Sequence, residues 1–145
     1  MWQGCHYGMN YRIIVSAVIE RGGAILLGKK APGVGPYPDT WHLPGGGVNL
    51  EGETPVGAVK REVREETGIE IDDIEPLAFD EDDEPDKRGI ITHYVFLVFR
   101  GQYVSGVARA ADDIIELRWV GKGELAQFPL SRPAMKLFRA SALIP

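Results

Sequence analysis

The sequence predicts an α/β fold, a mixed β-sheet covered by helices, and three observations predict it. Runs rich in β-branched and aromatic residues recur at Tyr11–Ile19, Ile90–Phe99 and Ile114–Val120, which is strand composition. A helix with clear start and stop signals, Thr54 to Gly68, stands between those runs, and a second helical stretch follows at Pro133–Ala140. Strands alternating with few helices then favour one sheet with helical layers.

The elements follow in chain order. Residues 1–10 are expected to be loosely ordered, with Cys5 an exposed, inert thiol near a loose terminus. Tyr11–Ile19 and Ala24–Gly28 form a hairpin across the Arg21-Gly22-Gly23 turn. Residues 31–40 hold three prolines and two glycines, the mark of an irregular loop. Trp41–Pro44 fits a short strand, and the Gly45–Gly47 run is expected to forbid regular structure. Thr54 is a good N-cap, Pro55 suits the first helical position, and Gly68 sits where a left-handed C-terminal glycine belongs. Ile74–Phe79 reads as a strand, and Asp80–Gly89 as a charged, solvated loop. That acidic stretch lacks the glycine and closing glutamate of a calcium loop. Ile90–Phe99 reads as a central strand and Ile114–Val120 as the last; Ser131 or Arg132 opens the final helix.

Composition narrows the function. The chain of 145 residues fits one domain, 1–145, able to bury a core without staples. Its single cysteine excludes an internal disulfide and points to a reducing, cytoplasmic location. No apolar run approaches the ~18 residues of a membrane span, and the first residues lack the pattern of a secretory signal. The net charge of −5 argues against nucleic acid as a partner. A small phosphorylated ligand stays open, provided that something positive bridges the two anions.

The mid-chain helix carries the chemistry. At 100° per residue, Val56, Val59 and Val63 fall on one stripe and Glu62, Glu65 and Glu66 on a second beside it, with Lys60, Arg61 and Arg64 outward. Three glutamates at i, i+3 and i+4 repel by roughly 0.2–0.5 kcal/mol per pair. In an arbitrary helix they would form a solvated face. As a cluster beside the packing stripe they also suit a magnesium site, because hard cations take carboxylate oxygens and keep room for substrate phosphate.

The whole segment decides between the two. Gly47, Glu53, Arg61, Glu62, Glu65, Glu66 and Gly68, with the apolar Val63 and Ile69, stand at the spacing of the Nudix box. A chance match of that pattern is on the order of 10⁻⁸ from average residue frequencies. The chain therefore resembles the Nudix hydrolases, and the hairpin before the box, the Trp41–Gly47 approach and the Arg118-Trp119-Val120 strand are similar to theirs.

That resemblance implies an α/β/α sandwich around a mixed sheet, and a Mg²⁺- or Mn²⁺-dependent enzyme that cleaves a nucleoside diphosphate linked to another group. It implies Glu62, Glu65 and Glu66 as metal ligands, the carbonyl of Gly46 as another, and an Arg61–Glu53 ion pair that orients the catalytic turn, with Gly47 and Gly68 permitting turns. The general base is Glu62 or a residue on a later loop among Asp112, Asp113 and Glu116, with Asp113 preferred. The mechanism expected is in-line attack of a water on phosphorus, with charge neutralisation and positioning supplying most of the rate.

Outside the box, Tyr37, Trp41 and Phe128 are candidates to stack on a nucleobase, although such aromatics are more often core residues; Gly45 and Gly46 would approach the substrate. Arg12, Lys29 and Lys30 either meet phosphates or are surface cations. His42 and His93 lack partners at metal-ligand spacing and read as structural. Among substrates, the Gly45–Val48 segment and the Phe128-Pro129-Leu130 segment favour hydrolysis of a (d)NTP to (d)NMP and pyrophosphate. Pro85, 16 residues after the box, keeps ADP-ribose in view without the usual Ser-Pro-Gly setting. Dinucleoside polyphosphates remain, although Asp86, Lys87 and Arg88 stand where that subclass has a tyrosine. A non-catalytic nucleotide sensor is the alternative of another class. Small nucleotides are the expected partners, and a homodimer is left open.

Overall fold

The computed structural model describes residues 10–33, 37 and 39–143; Cys5 and the expectation of a loose start at 1–9 lie outside them. The chain forms β1 (Asn10–Arg21), β2 (Ala24–Lys30), β3 (Trp41–His42), β4 (Gly45–Gly47), α1 (Pro55–Thr67), β5 (Glu70–Pro85), β6 (Ile91–Ser105), β7 (Ile114–Gly121), a 3-10 turn at Lys122–Gln127 and α2 (Arg132–Ala140). A seven-stranded sheet runs β3-β2-β1-β6-β5, with β4 also on β1 and β7 also on β2. β1 and β6 are parallel and the other pairs antiparallel, so the sheet is mixed, as the sequence predicts.

Alternation along the strands builds two cores. Val15, Ala17 and Ile19 of β1 pack with Phe99 of β6 against Ala58, Val59 and Val63 of α1. Val18, Leu27 and Val98 pack on the opposite face with Ala134, Leu137 and Phe138 of α2. The result is the helix–sheet–helix sandwich. Among the described residues no helix is long and apolar enough to cross a membrane.

Three local expectations are corrected. The glycine run forms a strand, with Gly45, Gly46 and Gly47 opposite Ser16, Val15 and Ile14. β1 and β2 pair only at their hairpin end, Glu20 with Ile25 and Arg21 with Ala24, so β1 has a free edge that the glycines fill. Absence of side chains is what lets the strand lie so close: a Cβ on Gly45 would stand 2.0 Å from the Val15 carbonyl oxygen. The acidic stretch is not a loop: Asp80–Pro85 continues β5 alongside Ile91–Phe96. Its charges are met on both sides, Asp80 by Lys136 and Asp82 by Arg132, and Glu81 and Asp83 by His93. Only the turn at 86–89 remains, closed on Asp86 Oδ1 by the amides of Arg88 and Ile90. Finally, Val56 is 41% exposed. The buried side of α1 is Ala58, Val59, Val63, Glu66 and Thr67, because i, i+4, i+7 and i+8 from Val59 share one face, and this rotation draws Glu66 into the packing stripe.

Candidate active site

The helix that bears the glutamates is fixed at both ends. Thr54 Oγ1 accepts from the Gly57 amide at 3.1 Å, and Gly68, at φ +73°, turns its amide onto the Arg64 carbonyl. The carbonyls of Glu66 and Thr67 accept from the Ala111 and Arg109 amides, at 3.1 and 2.9 Å. The 106–113 loop is thereby sewn to the helix end, which brings Asp113 to the glutamates.

Arg61 does not point outward with Lys60 and Arg64, as the helical wheel suggested. Its Nε and Nη2 donate to both oxygens of Glu53 (2.6 and 2.9 Å) and Nη2 to the Gly47 carbonyl (3.0 Å). Its Nη1 donates to Glu62 and Glu65 (2.9 and 3.1 Å). All five guanidinium protons are used, so one side chain ties the helix to the 47–53 loop. Arg61 and the Asn49 amide hold the Glu53 carboxyl down at about 2, and Glu53 keeps the guanidinium firmly charged.

Glu66 is 5% exposed. Its Oε1 accepts from the Gly45 amide at 2.8 Å; no hydrogen bond from the described residues reaches Oε2. Burial pushes this carboxyl up to about 8 against the pull of the Gly45 amide and Lys30, with Glu62 and Asp113 adding to the rise. Burial also raises Glu62, more than Arg61 lowers it. The Glu62 carboxylate fills the space where a Cβ on Gly46 would be. Glu65 stays at the rim, its side chain 46% exposed. Among the described residues no three acidic, histidine or cysteine side chains already converge on one point. The donor set is nonetheless all oxygen, partly buried and in excess of positive charge, which suits a hard divalent cation.

These groups open into a cleft of about 300 Å³. Its lining combines charged groups, Glu62, Glu66, Asp113, Arg12, Lys30 and Lys87, with apolar ones, Ile14, Leu43, Phe96, Val98 and Ala134. Tyr94 and Phe96 stack along β6 at 5.9 Å and 17°. Tyr37 lines the cleft in a left-handed conformation, φ +62°, and its hydroxyl donates to Asp82 at 2.7 Å. Burial pushes the Tyr37 phenol up to about 12, against the pull of Arg132.

Two aromatic candidates are placed elsewhere. Trp41 is 6% exposed within the α2-side core and packs edge-on with Phe128 at 5.3 Å. Its amide and carbonyl bond to Pro129 and Ser131, so both rings anchor the segment leading into α2, and neither lines the cleft. Glu116, a base candidate, pairs with Arg118 within β7 and does not line the cleft. Pro85 ends β5 opposite Ile91 and is not a cleft residue. Sequence reasoning missed Tyr94, Phe96 and Lys87. The alternation of Tyr94, Phe96 and Val98 was the available signal, but it becomes useful only once β6 is known to lie beside β1.

The NUDIX domain model matches residues 10–140. The chain belongs to the Nudix family. The chain is 30% identical to the nucleoside triphosphatase NudI of Escherichia coli, over 94% of this chain and 100% of the relative. A MutT Nudix hydrolase from Burkholderia pseudomallei superposes with a TM-score of 0.75 at 30% identity, covering 90% of this chain and 97% of that one. A MutT protein from Methanosarcina mazei does so with 0.73 at 28%, covering 91% and 93%. This chain is thus a Nudix hydrolase, an enzyme of phosphoric anhydrides, and its family uses divalent cations.

Proposed function

We propose that this Nudix hydrolase converts a nucleoside triphosphate to the monophosphate and pyrophosphate. Water adds across the α–β anhydride, its oxygen going to phosphorus and its protons to the two product phosphates and solvent. The observation that carries this reading is the mixed lining of one cleft. Carboxylates and cations suit a metal-bound polyphosphate, and the apolar Phe96 and Leu43 in the same cleft offer a place for a base. The full-length likeness to a nucleoside triphosphatase supports it.

Glu62, Glu66, Glu65 and the carbonyl of Gly46 would hold Mg²⁺ or Mn²⁺. A bound cation supplies positive charge to the anhydride oxygens and lets an acidic protein take a polyphosphate. Glu66 contributes from a buried position that Gly45 fixes. Arg61 holds Glu62 and Glu65 while it locks Glu53 and the Gly47 carbonyl. Asp113, on the loop tied to the end of α1, accepts the proton of the attacking water. Gly45–Gly47 allow the substrate backbone to approach, and Tyr37 walls the cleft.

The test is a panel of (d)NTPs, ADP-ribose and diadenosine polyphosphates with Mg²⁺ or EDTA, read by chromatography of the products. Pyrophosphate from (d)NTPs only with Mg²⁺ is expected, along with a loss of rate in Asp113→Asn that Glu116→Gln does not share. AMP and ribose 5-phosphate from ADP-ribose, with triphosphates untouched, would replace the reading.

A further inference from the structure

Arg12 occupies a singular place on β1. It lies in register with Tyr94 of β6 and just ahead of Ile14, the partner of Gly47. Its Nη2 stands 2.7 Å from where a Cβ on Gly47 would be. The guanidinium therefore lies along the glycine strand, although the residue as a whole is exposed. Neighbouring residues of a strand face opposite sides. Gly46 thus presents its bare side to the Glu62 carboxylate and Gly47 to Arg12, so one glycine ribbon separates a carboxylate from a guanidinium.

Among the described residues, no carboxylate and no hydrogen-bond acceptor engages Arg12, whereas Arg61, Arg64, Arg88, Arg118 and Arg132 each have an acidic partner. Arg21, Arg100, Arg109 and Arg139 likewise have no acidic partner there, but of these five only Arg12 lines the cleft. In a chain of net charge −5, an unclaimed arginine on a cleft wall is a positive point in a negative field. Lys87, carried by the 86–89 turn, lines the same cleft.

The order of stations along the ladder gives the site a direction. Gly45 holds Glu66, Gly46 faces Glu62, and Gly47 faces Arg12. On the neighbouring β6, Val98, Phe96 and Tyr94 stand opposite Ser16, Ile14 and Arg12. Val98, which shares a core cluster with Ala134, is therefore at the Gly45 side of the ladder, and Arg12 is at the Gly47 side, past Ile14 and Phe96. At ~3.3 Å per strand residue, Gly45 to Gly47 spans about 7 Å, on the scale of a short phosphate chain.

We infer that Arg12, with Lys87 on the same cleft, receives the terminal phosphates of the substrate and so selects a triphosphate over a diphosphate esterified to an uncharged group. The inference rests on the triphosphate reading above and assigns the residue that enforces it. Arginine suits the task because its planar fork matches two phosphate oxygens at once. Arg12 is a positioning group for the leaving pyrophosphate and acts on binding more than on the chemical step.

The probe is inorganic pyrophosphate with Mg²⁺. Its binding is read by titration calorimetry and its inhibition of turnover by kinetics, on the wild type, Arg12→Ala and Arg12→Lys. Losing a charge-assisted bidentate contact weakens binding about tenfold or more. Arg12→Ala is expected to weaken pyrophosphate and raise KM for nucleoside triphosphates by that factor. The nucleoside diphosphate should change less than twofold, and kcat should fall much less than KM rises. Arg12→Lys should recover part of the loss, and unchanged melting temperatures show both variants folded. Pyrophosphate affinity within twofold of wild type in Arg12→Ala overturns the inference, as does an equal loss on diphosphate and triphosphate. If the wild type hydrolyses no triphosphate yet loses pyrophosphate binding with Arg12→Ala, the substrate reading fails and the cation site stands. Wild type that binds no pyrophosphate removes the site, whatever the substrate.

Discussion

His42 shows how one residue's surroundings set its chemistry. Its Nε2 lies 2.9 Å from Thr40 Oγ1 and 3.1 Å from the Tyr37 carbonyl, contacts that a neutral ring with its proton on Nε2 satisfies. Burial first, and then the charge of Lys30, depress its pKa from 6.5 to about 4. Glu66 is displaced the other way, also by burial, since low polarity disfavours whichever form is charged. The stability sign for His42 is definite. Between pH 6.5 and about 4 the unfolded chain takes up a proton that the folded ring refuses, so stability falls as pH falls. At 1.36 kcal/mol per unit, His42 accounts for a loss of about 2 kcal/mol between pH 7 and pH 5. Denaturant melts at those two pH values on the wild type and His42→Gln, in EDTA, measure it. The variant should lose about 2 kcal/mol less than the wild type, and equal losses would show the ring to be solvated.

At the scale of elements, α1 was the most legible part of the chain because its signals are local: Thr54, Pro55 and Gly68 specify its ends with no help from the rest of the fold. The 45–47 strand and the 80–85 extension of β5 were not legible, because each depends on a remote partner. Glycines become a strand only where β1 offers a bare edge, and five acidic residues in a row of six stay extended only where Lys136, Arg132 and His93 meet them. Arg61 was misplaced for a related reason. A helical wheel shows the direction of a Cβ but not where a long side chain folds back. That fold-back makes α1 and the 47–53 loop one unit. Arg61→Ala is expected to lower kcat by about a hundredfold or more, on the scale of lost outer-shell support. It should also speed hydrogen exchange of residues 47–53 with the core strands unchanged. Slow exchange there in the variant would show that the loop is held by other contacts, such as Glu53 N–H to the Asn49 carbonyl.

At the scale of the whole molecule, the cleft belongs to no single layer. Its walls come from β1, β4, β6, α1, the 113 loop and the start of α2, and it opens where β1 parts from β2 and accepts β4 instead. The sandwich and its sheet class were readable from periodicity and the box, but this gap was not, since it is a matter of strand divergence. The consequence is thermodynamic. A ligand that bridges all of these elements binds only the assembled fold, so it stabilises the global transition and not a local piece. Magnesium with a non-hydrolysable α,β-imido nucleoside triphosphate at a hundred times its Kd should add about 2.7 kcal/mol. For a domain of this size that is a rise in Tm of roughly 10 °C, in a single cooperative transition. EDTA should abolish the rise. Glu66→Gln should abolish it too while keeping its own Tm near that of the unliganded wild type, because a buried and largely protonated carboxyl is close in shape and charge to an amide. The two controls separate failure of the fold from failure of the site. A variant that melts low shows that Glu66 holds the structure, whereas one that melts normally but still gains the full rise with nucleotide places the cation elsewhere.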